Sequence, residues 1–217
     1  MAILDPRLNA VRPDLADIRL RGRVEAGSFV AGEPMQIVAP VADMRREPRP
    51  DSGVDTQLLF GETVDVFEEH EGWCWAQAHA DGYTGYVAFT ALTKHIAGAT
   101  HMITAPRTFL YPGPDMKLPV EAALSIGSRL DVVGGAETRG SHYLLLANGG
   151  GVIAGHAAEI ATQAHDPVVI AERLLNTPYQ WGGRSGHGID CSGLIQLAYG
   201  MCGIQLQRDT SMQQNSA

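Results

Sequence analysis

The chain has 217 residues, 45% of them hydrophobic and 18% charged. That is the composition of a soluble globular protein with room for one large domain or two to three small ones, and disorder is not its default. Twenty-four acidic residues against 16 basic ones leave a formal net charge of −8 with no Lys/Arg cluster, so nucleic acid is not an expected partner.

The N-terminus, Met1-Ala2-Ile3-Leu4-Asp5-Pro6-Arg7, lacks the basic start, apolar core and small-residue cleavage site of a secretory signal. No apolar run reaches bilayer length, so no membrane contact and a cytoplasmic location are expected. Residues 1–35 read as an extension packed on the domains downstream, with Pro13-Asp14-Leu15-Ala16-Asp17 as the start of a short helix.

From Val38 short apolar runs alternate with Gly, Pro and Asp turns, which predicts short antiparallel strands. Leu59-Phe60-Gly61-Glu62-Thr63-Val64-Asp65-Val66-Phe67 has a counterpart in Ser125-Ile126-Gly127-Ser128-Arg129-Leu130-Asp131-Val132-Val133. Val41-Ala42-Asp43-Met44-Arg45 and Ile103-Thr104-Ala105-Pro106-Arg107 precede them, and Trp73-Cys74-Trp75-Ala76-Gln77 and His142-Tyr143-Leu144-Leu145-Leu146 come after. Two copies are too few for a solenoid, so two tandem β domains, 36–97 and 98–162, are expected. The first copy, closing with Gly82-Tyr83-Thr84-Gly85-Tyr86-Val87 and Ala91-Leu92, resembles the bacterial SH3 domains of wall hydrolases. The second is a weaker match.

After Ile160 the pattern changes, and a third unit, 163–217, begins. Asp166-Pro167 supplies a helix cap and a first-turn proline, with Val169, Ile170, Arg173, Leu174 and Leu175 at helical spacing. Glycines 182, 183, 186 and 188 predict an irregular loop up to Asp190. Leu194, Leu197 and Ala198 then stripe a second helix, closed by Gly200 or Gly203.

Three cysteines, Cys74, Cys191 and Cys202, are too few and too irregular for a disulfide framework, and no Cys-x-x-Cys pair has histidines at zinc spacing. Cys191 stands at the first turn of the second helix, where unpaired amides and the helix dipole favour a thiolate and can receive an oxyanion. An isolated free cysteine is more often a small buried hydrophobe. Cys74, between two tryptophans in a strand, and Cys202, at a helix end, fit that description.

The run Thr177-Pro178-Tyr179-Gln180-Trp181-Gly182-Gly183 through Ile189-Asp190-Cys191-Ser192-Gly193-Leu194-Ile195-Gln196, followed by Gly203-Ile204 and Arg208-Asp209-Thr210, closely resembles the NlpC/p60 family of cysteine peptidases. The resemblance implies an α+β multidomain protein: two small SH3-like β barrels followed by the N-terminal part of a papain-like NlpC/p60 domain. It implies Cys191 as the nucleophile attacking an amide carbonyl, with Tyr179 beside it. Asp190 and Ser192 would contact the substrate's free amino group, and Thr210 would line the same pocket. With bacterial SH3 domains in front and no signal peptide, the layout is similar to murein-recycling endopeptidases that cut γ-D-glutamyl–diamino acid bonds in stem peptides. There the first SH3-like domain admits only a free N-terminal L-alanine, through an acidic residue and a tyrosine, parts that Asp55 with Tyr86 or Tyr83 would play. Neither a metal nor an organic cofactor is implied; the implied partner is a muropeptide.

The family activates its cysteine with a histidine several tens of residues further on. This chain ends at Ala217 and none of its eight histidines fills that position, since His187 lies in the glycine loop and the other seven precede that loop. The expectation is a chain that stops short of its base, with the apolar face of the second helix, Leu194, Ile195 and Leu197, left uncovered. A non-catalytic muropeptide-binding protein and an acyltransferase or amidase using the same cysteine are the rival readings.

Overall fold

The computed structural model describes residues 4–214. Its N-terminal segment is extended, not helical: β1 (Leu15–Asp17) pairs in parallel with β2 (Ser28–Val30) around a 3-10 turn at Ile18–Leu20. All three β1 residues are buried, Leu15 together with Ala10 against Phe67 and Trp75. Asp17 caps the turn by accepting the Arg19 amide at 2.9 Å.

The first β unit begins at Glu33, three residues before the expected boundary. It comprises β3 (Glu33–Ile37), β4 (Val41–Arg45), β5 (Val54–Leu59), β6 (Thr63–His70), β7 (Trp73–Ala78), β8 (Thr84–Ala88) and β9 (Leu92–Thr93). They form one antiparallel sheet in the order β5-β4-β8-β7-β6-β3-β9. β3 joins because it pairs with both β6 and β9. Alternating residues Met35, Ile37, Met44, Leu58, Val64, Cys74, Ala76 and Val87 point into a common core.

The second unit runs through β10 (His101–Ile103), β11 (Arg107–Leu110), β12 (Ala122–Ser125), β13 (Arg129–Leu130), β14 (Val132–Thr138), β15 (Ser141–Leu146), β16 (Gly151–Ile153) and β17 (Ala157–Glu159). Its pairings β12-β11, β16-β15-β14 and β13-β10-β17, with a Tyr111–Gly151 bridge from beside β11 to β16, repeat the neighbour order of the first unit. A separate core of Ile103, Leu110, Leu124, Leu130, Leu146 and Val152 fills it. The turns that repeat in sequence abut in space: the Arg129 amide donates to the Phe60 carbonyl at 2.8 Å, and a Cβ on Gly61 (φ 80°) would stand 2.2 Å from the Arg129 carbonyl oxygen.

Beyond them α1 (Pro167–Glu172) starts as expected, with Asp166 accepting the Val168 amide at 2.8 Å. It ends sooner than the apolar spacing suggested, since Arg173, Leu174 and Leu175 continue with tighter i→i+3 bonds. The glycine loop is more ordered than expected: β18 (Arg184–Ser185) and β19 (Gly188–Ile189) form a short hairpin. Then come α2 (Cys191–Met201) and α3 (Thr210–Gln213). The face of α2 is not left bare. Leu197, Ala198 and Met201 pack on Ile170 and Leu174 of the α1 segment and on Leu59 and Ile126 beside the two glycine turns, with Leu194 partly buried there; Ile195 alone of the three named residues is exposed. The covering surface is supplied by the β units. No helix among the described residues is long and apolar enough to cross a membrane.

Candidate active site

Cys191 is the first residue of α2 and is exposed. Asp190 caps the helix, its Oδ1 accepting the Gly193 amide at 2.7 Å and its Oδ2 the Gly182 amide at 2.9 Å. Arg208, only 1% exposed, grips the same carboxylate with two bonds, Nη2 to Oδ2 at 2.7 Å and Nη1 to Oδ1 at 3.0 Å. Its other donors reach the Ser192 hydroxyl at 2.8 Å, the Gly183 carbonyl at 3.5 Å and, from Nε, Thr56 Oγ1 on β5 at 2.8 Å. Burial alone would push the Asp190 carboxyl up, but the bonds from Arg208, Gly193 and Gly182 outweigh it and hold the carboxyl below its ordinary range.

Asp190 and Ser192, expected to meet a substrate amine, both line the cleft and are also bonded to the protein around them. Asp190 lines the cleft with both its oxygens already accepting, and the Ser192 hydroxyl donates to Asp190 at 3.3 Å while accepting from Arg208.

The other expected residues converge on one cleft of about 700 Å³. Cys191 opens into it, with Thr210 Oγ1 3.9 Å from the sulfur. Tyr179, 66% exposed, stands beside the nucleophile, its phenol pushed up by partial desolvation and by the charges of Cys191 and Asp190. Trp181, 72% exposed, continues that rim. The opposite wall is the first β unit, contributing Asp55, Trp75, Tyr83 and Tyr86. The Tyr86 hydroxyl accepts from Arg12 Nη1 at 3.0 Å, and that guanidinium lies 4.4 Å over the Trp75 ring.

Tyr83 lies closer to the acidic groups. Its hydroxyl donates to Asp209 Oδ2 at 3.2 Å, and its pKa is raised by burial first and then by Asp209 and Asp55, so it stays protonated as a donor. Asp55 is paired with Arg46 at 2.7 Å, and Asp209 with Arg7 at 2.7 Å. Sequence reasoning assigned no part to Asp209, Arg208, Arg46 or Arg7. The Arg208-Asp209-Thr210 run was a signal for the first two; Arg7 carried none, since its partner is 202 positions away.

No histidine among the described residues lines this cleft, and His187 is exposed at the β18–β19 turn. Cys74 is fully buried, its thiol pushed up to about 11 by burial and by Glu69; the Cys202 thiol is raised by burial and by Asp166. Neither lines the cleft. Among the described residues no group of three His, Cys, Asp or Glu side chains is placed to hold a metal ion.

Residues 44–92 match the bacterial dipeptidyl-peptidase SH3 domain family, and residues 176–217 match the NlpC/P60 family. The chain is 29% identical over 182 residues to a γ-D-glutamyl-L-lysine dipeptidyl-peptidase of Bacillus cereus, covering 74% of this chain and 54% of that protein. It is 29% identical over 193 residues to dipeptidyl-peptidase 6 of Lysinibacillus sphaericus, covering 80% and 71%. It therefore spans little more than half of the first relative. In fold it resembles an NlpC/P60 family protein of Bacillus cereus, with a TM-score of 0.69 at 24% identity over 84% of this chain and 76% of the other. It also resembles an NlpC/P60 endopeptidase of Photobacterium damselae, with a TM-score of 0.56 at 17% identity over 84% and 46%.

Proposed function

We propose that this chain, an NlpC/P60-family protein carrying a bacterial SH3 domain, is a cysteine endopeptidase that cuts γ-D-glutamyl–diamino acid bonds in peptidoglycan stem peptides, acting in murein recycling in the cytoplasm. The observation that carries the reading is the placement of Cys191, exposed at the N-terminus of an 11-residue helix and facing a β wall across the cleft. A thiolate there attacks the γ-carbonyl. First-turn amides receive the oxyanion and Tyr179 lends a hydroxyl at the same place. The amide C–N bond breaks, the diamino acid leaves as its protonated amine, and water then hydrolyses the γ-glutamyl thioester to the free carboxylate and the thiolate, a general base carrying the protons.

Asp209, Tyr83 and Asp55 are the groups suited to a free α-ammonium in the cleft, two carboxylates and a phenol oxygen within one another's field. This favours Tyr83 over Tyr86 as the tyrosine partner, with Asp190 and Ser192 lining the same cleft beside the nucleophile. Residues 101–159 are read as a second SH3-like barrel, on the strength of the repeated strand order, and residues 163–217 as papain-like.

The test is hydrolysis of L-Ala-γ-D-Glu-diaminopimelate, followed by release of the dipeptide, by the chain and by any longer product of the same gene. Cleavage by either, lost in Cys191→Ala and absent for the N-acetylated peptide, supports the reading. The rival reading is a non-catalytic muropeptide binder. Binding of the tripeptide without cleavage by any form would establish that rival instead.

A further inference from the structure

Each carboxylate of the cleft is matched with an arginine from a different part of the chain, and the three pairs are not equivalent. Asp190–Arg208 is sealed: both side chains are buried and the guanidinium bonds are filled from four residues. Breaking such a pair leaves a charge stranded in the interior. Asp209–Arg7 and Asp55–Arg46 are open, with Arg7 43% and Arg46 72% exposed on the side chain. Pairs of that kind contribute little and exchange readily with other ions.

Arg7 pairs with Asp5 through Nε at 3.1 Å and Nη2 at 2.7 Å and reaches Asp209 with its remaining Nη1. It extends from the N-terminal strap, beside Pro6 and ahead of Val11 and Arg12, all of which line the cleft. The strap is fixed by other bonds: Thr84 donates its amide to the Arg7 carbonyl at 2.8 Å and its hydroxyl to the Pro6 carbonyl at 2.7 Å, and Gln77 donates to the Leu8 carbonyl at 2.9 Å. The backbone is anchored on β7 and β8 while the guanidinium divides itself between Asp5 and Asp209.

We propose that Arg7 is an internal counterion that occupies the Asp209 cation subsite, competes with the ammonium of an incoming ligand and so sets the affinity of that subsite. The inference rests on the reading of Asp209 and Tyr83 as an ammonium subsite, not on Cys191 being a catalyst. When a primary ammonium enters, it takes the Asp209 oxygen, and Arg7 retains Asp5 as its partner, so no charge is stranded. A neutral or acylated terminus does not compete for Asp209 and leaves the Arg7 pair in place. The strap thereby sets the affinity of the acidic corner for an ammonium, weakening it by the worth of one exposed ion pair.

The experiment uses the full 217-residue chain in a Cys202→Ser background and reads the rate at which Cys191 is capped by two thiosulfonates of similar size. One is cationic (2-aminoethyl methanethiosulfonate) and one neutral (methyl methanethiosulfonate). Each forms a disulfide with Cys191 and releases methanesulfinate, and because Cys191 is exposed it reacts whether or not it is a peptidase nucleophile. Arg7→Ala is expected to raise the cationic-to-neutral rate ratio about three- to fivefold at low salt, the range of an exposed ion pair. The gain should fade in high salt and be absent when Asp209→Asn is already present. In parallel, L-alanine amide should bind Arg7→Ala more tightly by a similar factor, with N-acetyl-L-alanine amide unchanged. A ratio that stays flat or falls in Arg7→Ala, or a gain that persists in the Asp209→Asn background, overturns the proposal. Failure of peptide cleavage with this charge selectivity intact would count against the peptidase reading alone.

Discussion

Arg208 is the residue on which the geometry around Cys191 turns. Its side chain ranks among the largest fully buried ones, and its bonds run to the helix cap, to Ser192 and to β5 at once. Arg208→Met leaves Asp190 as a buried, unpaired carboxylate, so a loss of about 3–5 kcal/mol in urea unfolding is expected; a change below experimental error would refute the buried pair. Asp190 also makes a pH prediction. Its carboxyl lies below the ordinary value because Arg208 and two amides overcome burial, so the folded state binds the proton more weakly than the unfolded chain. The stability it contributes is complete above about pH 4 and is lost as the pH falls through the lowered value. Asp190→Asn should therefore be clearly destabilised against wild type at pH 7, with the gap closing as the pH falls below about 4 in parallel urea titrations.

At the scale of elements, the hairpin β18–β19 acts as a wedge between the two β units. Arg184 donates its backbone and side chain to Gln57 on β5 and pairs with Glu62, both partners buried, while the Gly186 amide donates to Ser125 Oγ at the end of β12. β5 is an edge strand, and these contacts cover its free edge, the position where exposed backbone otherwise invites unwanted pairing. A Cβ on Gly186 would stand 2.1 Å from the Pro106 carbonyl oxygen, a backbone atom that cannot swing aside. Gly186→Ala is expected to lower stability by roughly 1–3 kcal/mol through forced displacement of the wedge. Gly98→Ala, with open space around its Cβ, serves as the control and should be nearly neutral; equal midpoints for the two variants would contradict this account.

At the scale of the molecule, one apolar cluster joins all three parts: Leu59 from the first β unit, Ile126 from the second, and Ile170, Leu174, Leu197 and Met201 from the helices. Leu197→Ala empties the middle of that junction and should cost about 2–5 kcal/mol. Because the cluster belongs to no single unit, the loss should appear in every probe, whether Trp73 and Trp75 in β7 or Trp181 at the cleft rim report it. A shift seen by Trp181 alone would mean that the helices unfold independently of the β units.

The sequence by itself determined what local chemistry determines. The alternating strands, the repeat of the Gly61 and Gly127 turns, the Asp166-Pro167 helix start and Cys191 at the head of α2 each depend on residues within a turn or a strand of one another. The tertiary structure alone decided the rest. Pro13–Asp17 is extended because a buried surface of Phe67 and Trp75 awaits it, and α2 is covered because two turns from separate β units meet beneath it. The acidic part of the cleft exists only after folding has joined Arg7 to Asp209 across 202 positions, Tyr83 to Asp209 across 126, and Arg208 to Thr56 across 152. No periodicity or motif records such pairs, since nothing in the local chain distinguishes an arginine that will face water from one that will meet a carboxylate brought from the far end.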